Sequence, residues 1–384
     1  MFGASRFFQG LILGFVTVAI FYLVAYIVLS KNGEISLDSV VDRQMLDSHR
    51  EVLFLSGLSQ HAFNYKMQLM DASKPQVVAI GSSRAMQVRE QFFRRGFTNL
   101  GGAVNSIAEL EVFALRFAKM EDRPKLALLF VDPWWFNSEF VGQGGGYKPP
   151  DFPTMISNRL VFGAGTLLRK GNWISAATKS KNLGIQAILT GNGFSYDGSY
   201  HYVGISSGFE RSADIRFLDT LARVTESRSR FEKSDHADLA LIRRACAAIS
   251  MIKKQVNSLV LIAPPFSKVV WNKMREGGYN YIDEVTSALA RCSNAVDLYD
   301  FYSVIEIPEG SDCEFIDGFH GGDVTYARIL KLIGQANSEV RKYLAIDFLD
   351  NFINDNSGYS GGITRHKFSE GKEVDFLQIG CGKS

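Results

Sequence analysis

A serine hydroxyl attacks a carbonyl only when a base takes its proton, and a histidine serves as that base only when a third group fixes its tautomer and aims its ring. Two distant stretches of this chain supply the three groups. Val77-Val78-Ala79-Ile80-Gly81-Ser82-Ser83-Arg84 reads as a buried strand that stops in a glycine and two hydroxyls. Its apolar residues, mostly β-branched, suit the centre of a parallel sheet, and Gly81 permits a sharp turn. At such a strand-to-helix corner a serine Oγ stands at the carboxyl edge of the sheet, faced by the first N–H groups of the helix that follows. Far downstream, Phe315-Ile316-Asp317-Gly318-Phe319-His320 places a carboxylate and an imidazole on one loop, so that Asp317 can reach Nδ1 while Nε2 faces outward. Each motif alone has a plain alternative: Ser82 or Ser83 as a helix cap, Asp317–His320 as a surface pair.

The intervening elements decide whether the two stretches meet. The pattern predicts a helix after Arg84 to about Arg95, a strand over 97–100, and a helix to about Met120 whose start carries the Ser106/Glu109 capping-box spacing. Leu126 to Val131 is a further buried strand, ending in Asp132-Pro133-Trp134-Trp135-Phe136-Asn137. After a long interruption the rhythm resumes with a helix over 235–254 capped by Ser234 or Asp235, and a strand over 258–263. A helix to about Cys292, a strand over 295–299 and a last helix over 324–343 complete it. Alternation of this kind builds a parallel sheet through right-handed crossovers, with ligands bound outside the carboxyl ends of its strands. The loop bearing Asp317 and His320 follows the last predicted strand, so it emerges on the same edge as Ser83.

The chain has 384 residues, 46% of them hydrophobic, enough to bury a full core. Its net charge is +2, from 42 basic and 40 acidic residues, which gives no electrostatic reason to expect nucleic acid as a partner. Cys246, Cys292, Cys313 and Cys381 show no CxxC spacing, which argues against a zinc ribbon or a thioredoxin-type redox motif. Neither a metal nor a cofactor is expected. Outside the cytoplasm a disulfide such as Cys292–Cys313 becomes an option. Residues Phe7 to Ser30 carry no charged side chain and read as an uncleaved transmembrane anchor, ending without the small-residue exit of a signal peptide. The reading places a short amino terminus in the cytoplasm and the domain on the periplasmic or cell-surface side. Residues 31–50 read as a polar stalk and 51–70 as a helix leading into the first strand.

Between Ser138 and Glu232 the α/β pattern breaks, and the glycine- and aromatic-rich composition suggests a cap over the active edge. Phe194 to Tyr202 interleaves aromatic and hydroxyl groups. It reads either as a platform for sugar rings or as a loop packed on itself.

At this point the sequence resembles the SGNH, or GDSL-like, hydrolases. Gly81-Ser82-Ser83 is similar to their first block, with Ser83 at the nucleophile position. Asp317-Gly318-Phe319-His320 is similar to their last block, with Asp317 as orienter and His320 as base. With its anchor, the chain more narrowly resembles the membrane-anchored proteins of cell-envelope polysaccharide acylation, such as the teichoic acid D-alanyl transfer protein and the alginate acetylation proteins. The likeness covers roughly residues 75–135 and 235–335. It implies an oxyanion hole built with a second-block glycine and a third-block asparagine. Asn99 to Asn105 resembles the second block, with Val104 where its glycine is placed, so the Gly101 and Gly102 amides remain as donors. Val131-Asp132-Pro133-Trp134 does not match the third block, leaving Asn105 or Asn137 as the replacement. Arg84 is a candidate for holding a negative substrate group, or else pairs with a carboxylate. Trp134 and Tyr200 complete the candidate substrate-binding set.

The expected architecture is α/β: anchor (1–30), stalk and leading helix (31–74), a three-layer α/β/α SGNH-like domain with a parallel sheet (75–345, cap about 138–232) and a tail (346–384). The expected activity is that of a serine-dependent esterase or O-acyltransferase on a cell-envelope or exported polysaccharide. Its expected partners are the membrane, the glycan and a multipass membrane O-acyltransferase. The competing class is an inactive SGNH-like scaffold that binds polysaccharide within an export or acylation complex. A serine peptidase lacks any specificity signal in the sequence.

Overall fold

The structure, a computed structural model, describes residues 2–57, 62–140, 142, 165, 180–208, 213–292, 296–368 and 372–382, with side chains from Phe7 onward. The chain divides into two compact units, residues 1–60 with 148–193, and residues 61–147 with 194–384.

The second unit is built on a sheet of β1 (Val77–Gly81), β2 (Phe97–Gly101), β3 (Leu126–Phe130), β6 (Ser258–Ala263) and β7 (Asp297–Asp300); the short β4 (Gly193–Phe194) and β5 (Tyr200–His201) form a separate hairpin. All five strands are parallel, in the order β2-β1-β3-β6-β7. β1 to β3 are buried throughout; the unbroken apolar runs of β1 and β3 require this, while β2 also buries Thr98 and Asn99 with their side chains hydrogen-bonded. In this order the connections reverse direction between β1 and β3, the position at which open parallel sheets bind ligands beyond the carboxyl ends of their strands. Helices Ile107–Phe117, Leu239–Lys253 and Tyr281–Cys292 form one packed group, and helices Asp323–Ala336 and Ile346–Asn356 another.

Local competition moved several predicted boundaries. No α-helix follows Ser83: two 3-10 turns, Ser83–Gln87 and Glu90–Phe92, stand there instead. Asn99 on β2 explains the change, because its Nδ2 donates to the carbonyls of Ala85 and Val88 and so replaces the i→i−4 ladder. The helix after β3 starts at Leu239 behind Asp238, not Ser234 or Asp235, because the Asp238 carboxylate caps the N–H groups of Ala240 and Leu241. The predicted helix to Cys292 is two, Lys268–Glu276 and Tyr281–Cys292. The tail after Leu344 carries two helices, Ile346–Asn356 and Gly362–Phe368. Cysteine pairing also departs from expectation, since Cys292 bonds Cys246 and Cys313 bonds Cys381.

In the first unit, helix Phe2–Lys31 contains one apolar span, Phe7–Lys31, long enough to cross a membrane. The predicted stalk is folded. Helix Leu37–Leu46 is capped by Ser36, and Arg43 Nη1 donates to the Lys31 carbonyl at 2.7 Å, closing the end of the first helix. Residues 51–57 are extended, because Leu53 and Leu55 exchange backbone hydrogen bonds with Leu183. The buried Glu34 carboxylate accepts from Ser56 Oγ and from the N–H groups of Gly57 and Ile185. Residues 180–193 of the expected cap thus belong to the first unit. Residues 143–164 and 166–179 of the expected cap lie outside the described residues.

Candidate active site

Ser83 begins the 3-10 turn directly after β1. Gly81 ends the strand at φ +156°, where a Cβ would come within 2.9 Å of Phe130, so glycine is needed for the close approach to β3. The two hydroxyls then part company. Ser82 is buried and caps the turn by accepting from the Arg84 N–H at 3.2 Å, while Ser83 stays partly exposed.

The Asp317–His320 loop is a tight turn closed by Ile316 N–H to the His320 carbonyl at 2.8 Å. Asp317 Oδ1 accepts from the N–H groups of Phe319 and His320 at 2.9 and 2.8 Å, and its Oδ2 lies 2.7 Å from His320 Nδ1. Gly318 allows the loop to press on its neighbours, since a Cβ there would come within 2.7 Å of Thr220 and Val270. His320 Nε2 is 2.8 Å from Ser83 Oγ, across a sequence separation of 237 residues. A carboxylate at Nδ1 keeps the proton on that nitrogen, so Nε2 is the acceptor for the serine hydroxyl. Burial pushes the Asp317 carboxyl up, but the charge and hydrogen bonds of His320 and the two backbone N–H groups outweigh it and hold the group below its ordinary value. The carboxylate is therefore ionised at neutral pH, as an orienter must be.

The Arg84 side chain is turned into the interior. Its guanidinium is fully buried and donates from Nε to the Phe319 carbonyl (2.9 Å), from Nη1 to Asp132 Oδ1 (3.0 Å) and from Nη2 to the Pro264 carbonyl (2.5 Å). The residue after the serine thereby ties together the carboxyl ends of β1, β3 and β6 and the peptide just before His320. The pairing foreseen for Arg84 exists, but in the interior. Burial raises the Asp132 carboxyl above its usual range, against the pull of Arg84, Ser82 and Arg230. Trp134 is likewise a buried wall, 5.4 Å from the Arg84 guanidinium and 6.3 Å from the Phe319 ring. Tyr200 remains half-buried, its ring against Phe194 and Tyr202 at 5.1 and 4.6 Å, within a self-packed hairpin.

The oxyanion donors expected from sequence are largely occupied. Gly101 N–H donates to Asn99 Oδ1 at 2.7 Å, and Gly102 N–H to the Gly81 carbonyl at 2.8 Å. Asn105 Nδ2 donates to Glu109 and to the Gly102 carbonyl, and Asn137 Nδ2 to the Glu232 carbonyl. The Ser83 N–H, first in its turn, has no acceptor among the described residues.

Sequence reasoning passed over Asn99, although an asparagine at a buried strand position was a signal that its amide serves the backbone. It also passed over Asp214, whose Oδ2 accepts from the Gly318 N–H at 3.3 Å and from Thr220 Oγ1 at 2.6 Å, and which nothing in its local sequence distinguishes. No group of three or more metal-ligating side chains occurs among the described residues. The chain has no match among family models, curated proteins or solved structures.

Proposed function

We propose that this chain is a membrane-anchored, serine-dependent ester hydrolase or O-acyltransferase of SGNH-like type, acting on a cell-envelope or exported polysaccharide. The hydrogen-bonded series Ser83–His320–Asp317 carries the reading, because it sets a hydroxyl within proton-transfer distance of an imidazole whose other nitrogen is held by a carboxylate. In the proposed cycle Ser83 Oγ adds to an ester carbonyl while His320 Nε2 takes its proton, and the Ser83 N–H receives the developing oxyanion. The intermediate collapses by expelling the alcohol, which recovers the proton from His320. Water or a sugar hydroxyl, deprotonated by the same nitrogen, then attacks the acyl-serine and releases an acid or a new ester. Asp317 stays ionised and stabilises the imidazolium.

The apolar span supports attachment to a membrane. The pairing of all four cysteines supports placing the domain outside the cytoplasm, where disulfides persist, with a multipass O-acyltransferase as the proposed partner. The occupied Gly101, Gly102, Asn105 and Asn137 donors favour a second reading, an inactive scaffold that binds polysaccharide. Loss of one oxyanion donor costs roughly a hundredfold or more in rate. Hydrolysis of p-nitrophenyl acetate by the detergent-solubilised full chain, abolished by Ser83→Ala, is the result expected of the enzyme. Glycan binding by both parent and Ser83→Ala protein, with no turnover by either, would establish the scaffold.

A further inference from the structure

The segment 213–232 packs on the base loop through Asp214 and through Phe231, whose buried ring meets the Phe319 ring edge-on at 5.7 Å. Just before Phe231 the backbone takes left-handed conformations at three non-glycine residues, Ser227 (φ 55°), Ser229 (φ 55°) and Arg230 (φ 82°). Such conformations are unfavourable and persist only where surrounding contacts impose them. Here Ser227 Oγ accepts from the Lys233 N–H at 2.8 Å, and the Tyr279 hydroxyl donates to the Phe231 carbonyl at 2.5 Å. The outcome is that the Arg230 guanidinium stands 5.9 Å from the centres of both the Trp134 and Phe319 rings. Arg223 adds a second guanidinium 5.3 Å from the Phe319 ring.

Arg230 differs from the other cations around the site in having no hydrogen-bonded or ion-paired acceptor among the described residues. Arg84 is spent on Asp132 and two carbonyls, and Arg223 is paired with Asp219. Asp132, a carboxylate that feels the charge of Arg230, already has Arg84 as its partner. Phe319 directly precedes His320, and their rings lie 4.1 Å apart. A half-buried guanidinium is thus held, at a cost in backbone conformation, beside the general base, with no acceptor for its donors among the described residues.

We propose that Arg230, with Arg223 beside it, binds an anionic group, a carboxylate or phosphate, on the substrate that is processed at Ser83. The proposal rests on the ester-processing reading and gives it a substrate class: esters whose acyl part or alcohol part carries a negative charge. A guanidinium fork over two aromatic faces pairs such a group bidentately in a partly dehydrated setting, where charge-assisted hydrogen bonds are strong.

The test uses the full chain in detergent. Wild type, Arg230→Gln and Arg230→Lys are assayed on phenyl acetate, on 4-acetoxybenzoate (charge on the alcohol side) and on mono-4-nitrophenyl succinate (charge on the acyl side). The expected result is that Arg230→Gln lowers the preference for one charged ester over phenyl acetate by about tenfold or more, the scale of one charge-assisted hydrogen bond. Arg230→Lys should retain part of that preference, and the charged ester that responds identifies the side recognised. Equal effects on all three esters would overturn the proposal while leaving the hydrolase intact. Binding of oligogalacturonate against a neutral glucan to Ser83→Ala and to Ser83→Ala/Arg230→Gln separates the two claims in the other direction. Arg230-dependent binding of the charged oligosaccharide without turnover by the parent keeps the anion site and removes the enzyme. Indifference to Arg230 in both assays removes the site.

Discussion

Replacing Arg84 with Met separates what that residue does for stability from what it does for geometry. The single change leaves Asp132 buried without its cation, and breaking a buried pair in this way costs about 3–5 kcal/mol. At about 2–4 °C per kcal/mol for a domain of this size, the unfolding midpoint should fall by roughly 6–20 °C. The double variant Arg84→Met/Asp132→Leu removes both charges together, and apolar replacement of a whole buried pair is commonly near neutral, so most of the stability should return. The double variant still lacks the 2.9 Å bond from Arg84 Nε to the Phe319 carbonyl, which pins the peptide before His320. A displacement of about 1 Å between reacting groups costs on the order of a hundredfold in rate. Calorimetry paired with the second-order rate of fluorophosphonate labelling at Ser83 reads both effects. The expected double variant is nearly as stable as wild type and about a hundredfold slower to label. If it labels at the wild-type rate, Arg84 only balances the charge of Asp132 and has no part in aligning the serine with the histidine.

Other perturbations give distinct readouts. Asp317→Asn removes the group that holds the Nδ1 proton, and should slow labelling of Ser83 by about a thousandfold or more while the fold survives, as checked by circular dichroism. The Asp317 carboxyl lies below its usual value in the folded chain, so its contribution to stability is complete above the ordinary carboxylate range and is lost as pH falls through its folded value. Acid melts of wild type should therefore lose a step that Asp317→Asn lacks. Asp323 behaves oppositely. Burial against Arg89 and the Gly362 and Ile363 N–H groups leaves its carboxyl pushed up to about 6, so its ionised form weakens the fold above that pH and the penalty fades as pH drops toward 4. Relative to Asp323→Asn, the wild-type midpoint should rise between pH 7 and pH 5, and a flat difference would rule out that titration. Removing the Cys313–Cys381 bridge by Cys313→Ser/Cys381→Ser frees a loop of 68 residues and should cost about 4 kcal/mol by the chain-entropy estimate, read as a lower denaturant midpoint.

How much of this could be read from the sequence depended on whether a local pattern or a distant partner decided the outcome. The strands at Val77–Gly81, Leu126–Phe130 and Ser258–Ala263 were legible because a strand buried on both faces must be nearly all apolar. The meeting of Ser83 and His320 was legible because in a parallel sheet both loops leave by the same edge. What stayed hidden was set by contacts from far along the chain. Asn99 unwound the helix expected after Ser83, Asp132 and Pro264 drew Arg84 inward, and Leu183 held residues 53–55 extended. Asn105 and Asn137 looked like free side-chain donors because nothing local shows that Glu109 and the Glu232 carbonyl consume them. No element of the tail was legible, yet its residues hold the start of the helix that follows the base loop. Asp323, at the start of the helix after His320, accepts from Gly362 and Ile363, and Glu373 accepts from Ser360 and Gly361.

The proposal that Ser83 and His320 act as nucleophile and base meets its most direct test in site-mapped labelling of the full chain by a fluorophosphonate, followed by mass spectrometry of the peptides. A single adduct on the peptide containing Ser83, formed at a rate that falls by about a thousandfold or more in His320→Ala, is the expected outcome. An adduct that forms as fast without His320, or the absence of any adduct at Ser83, would contradict it.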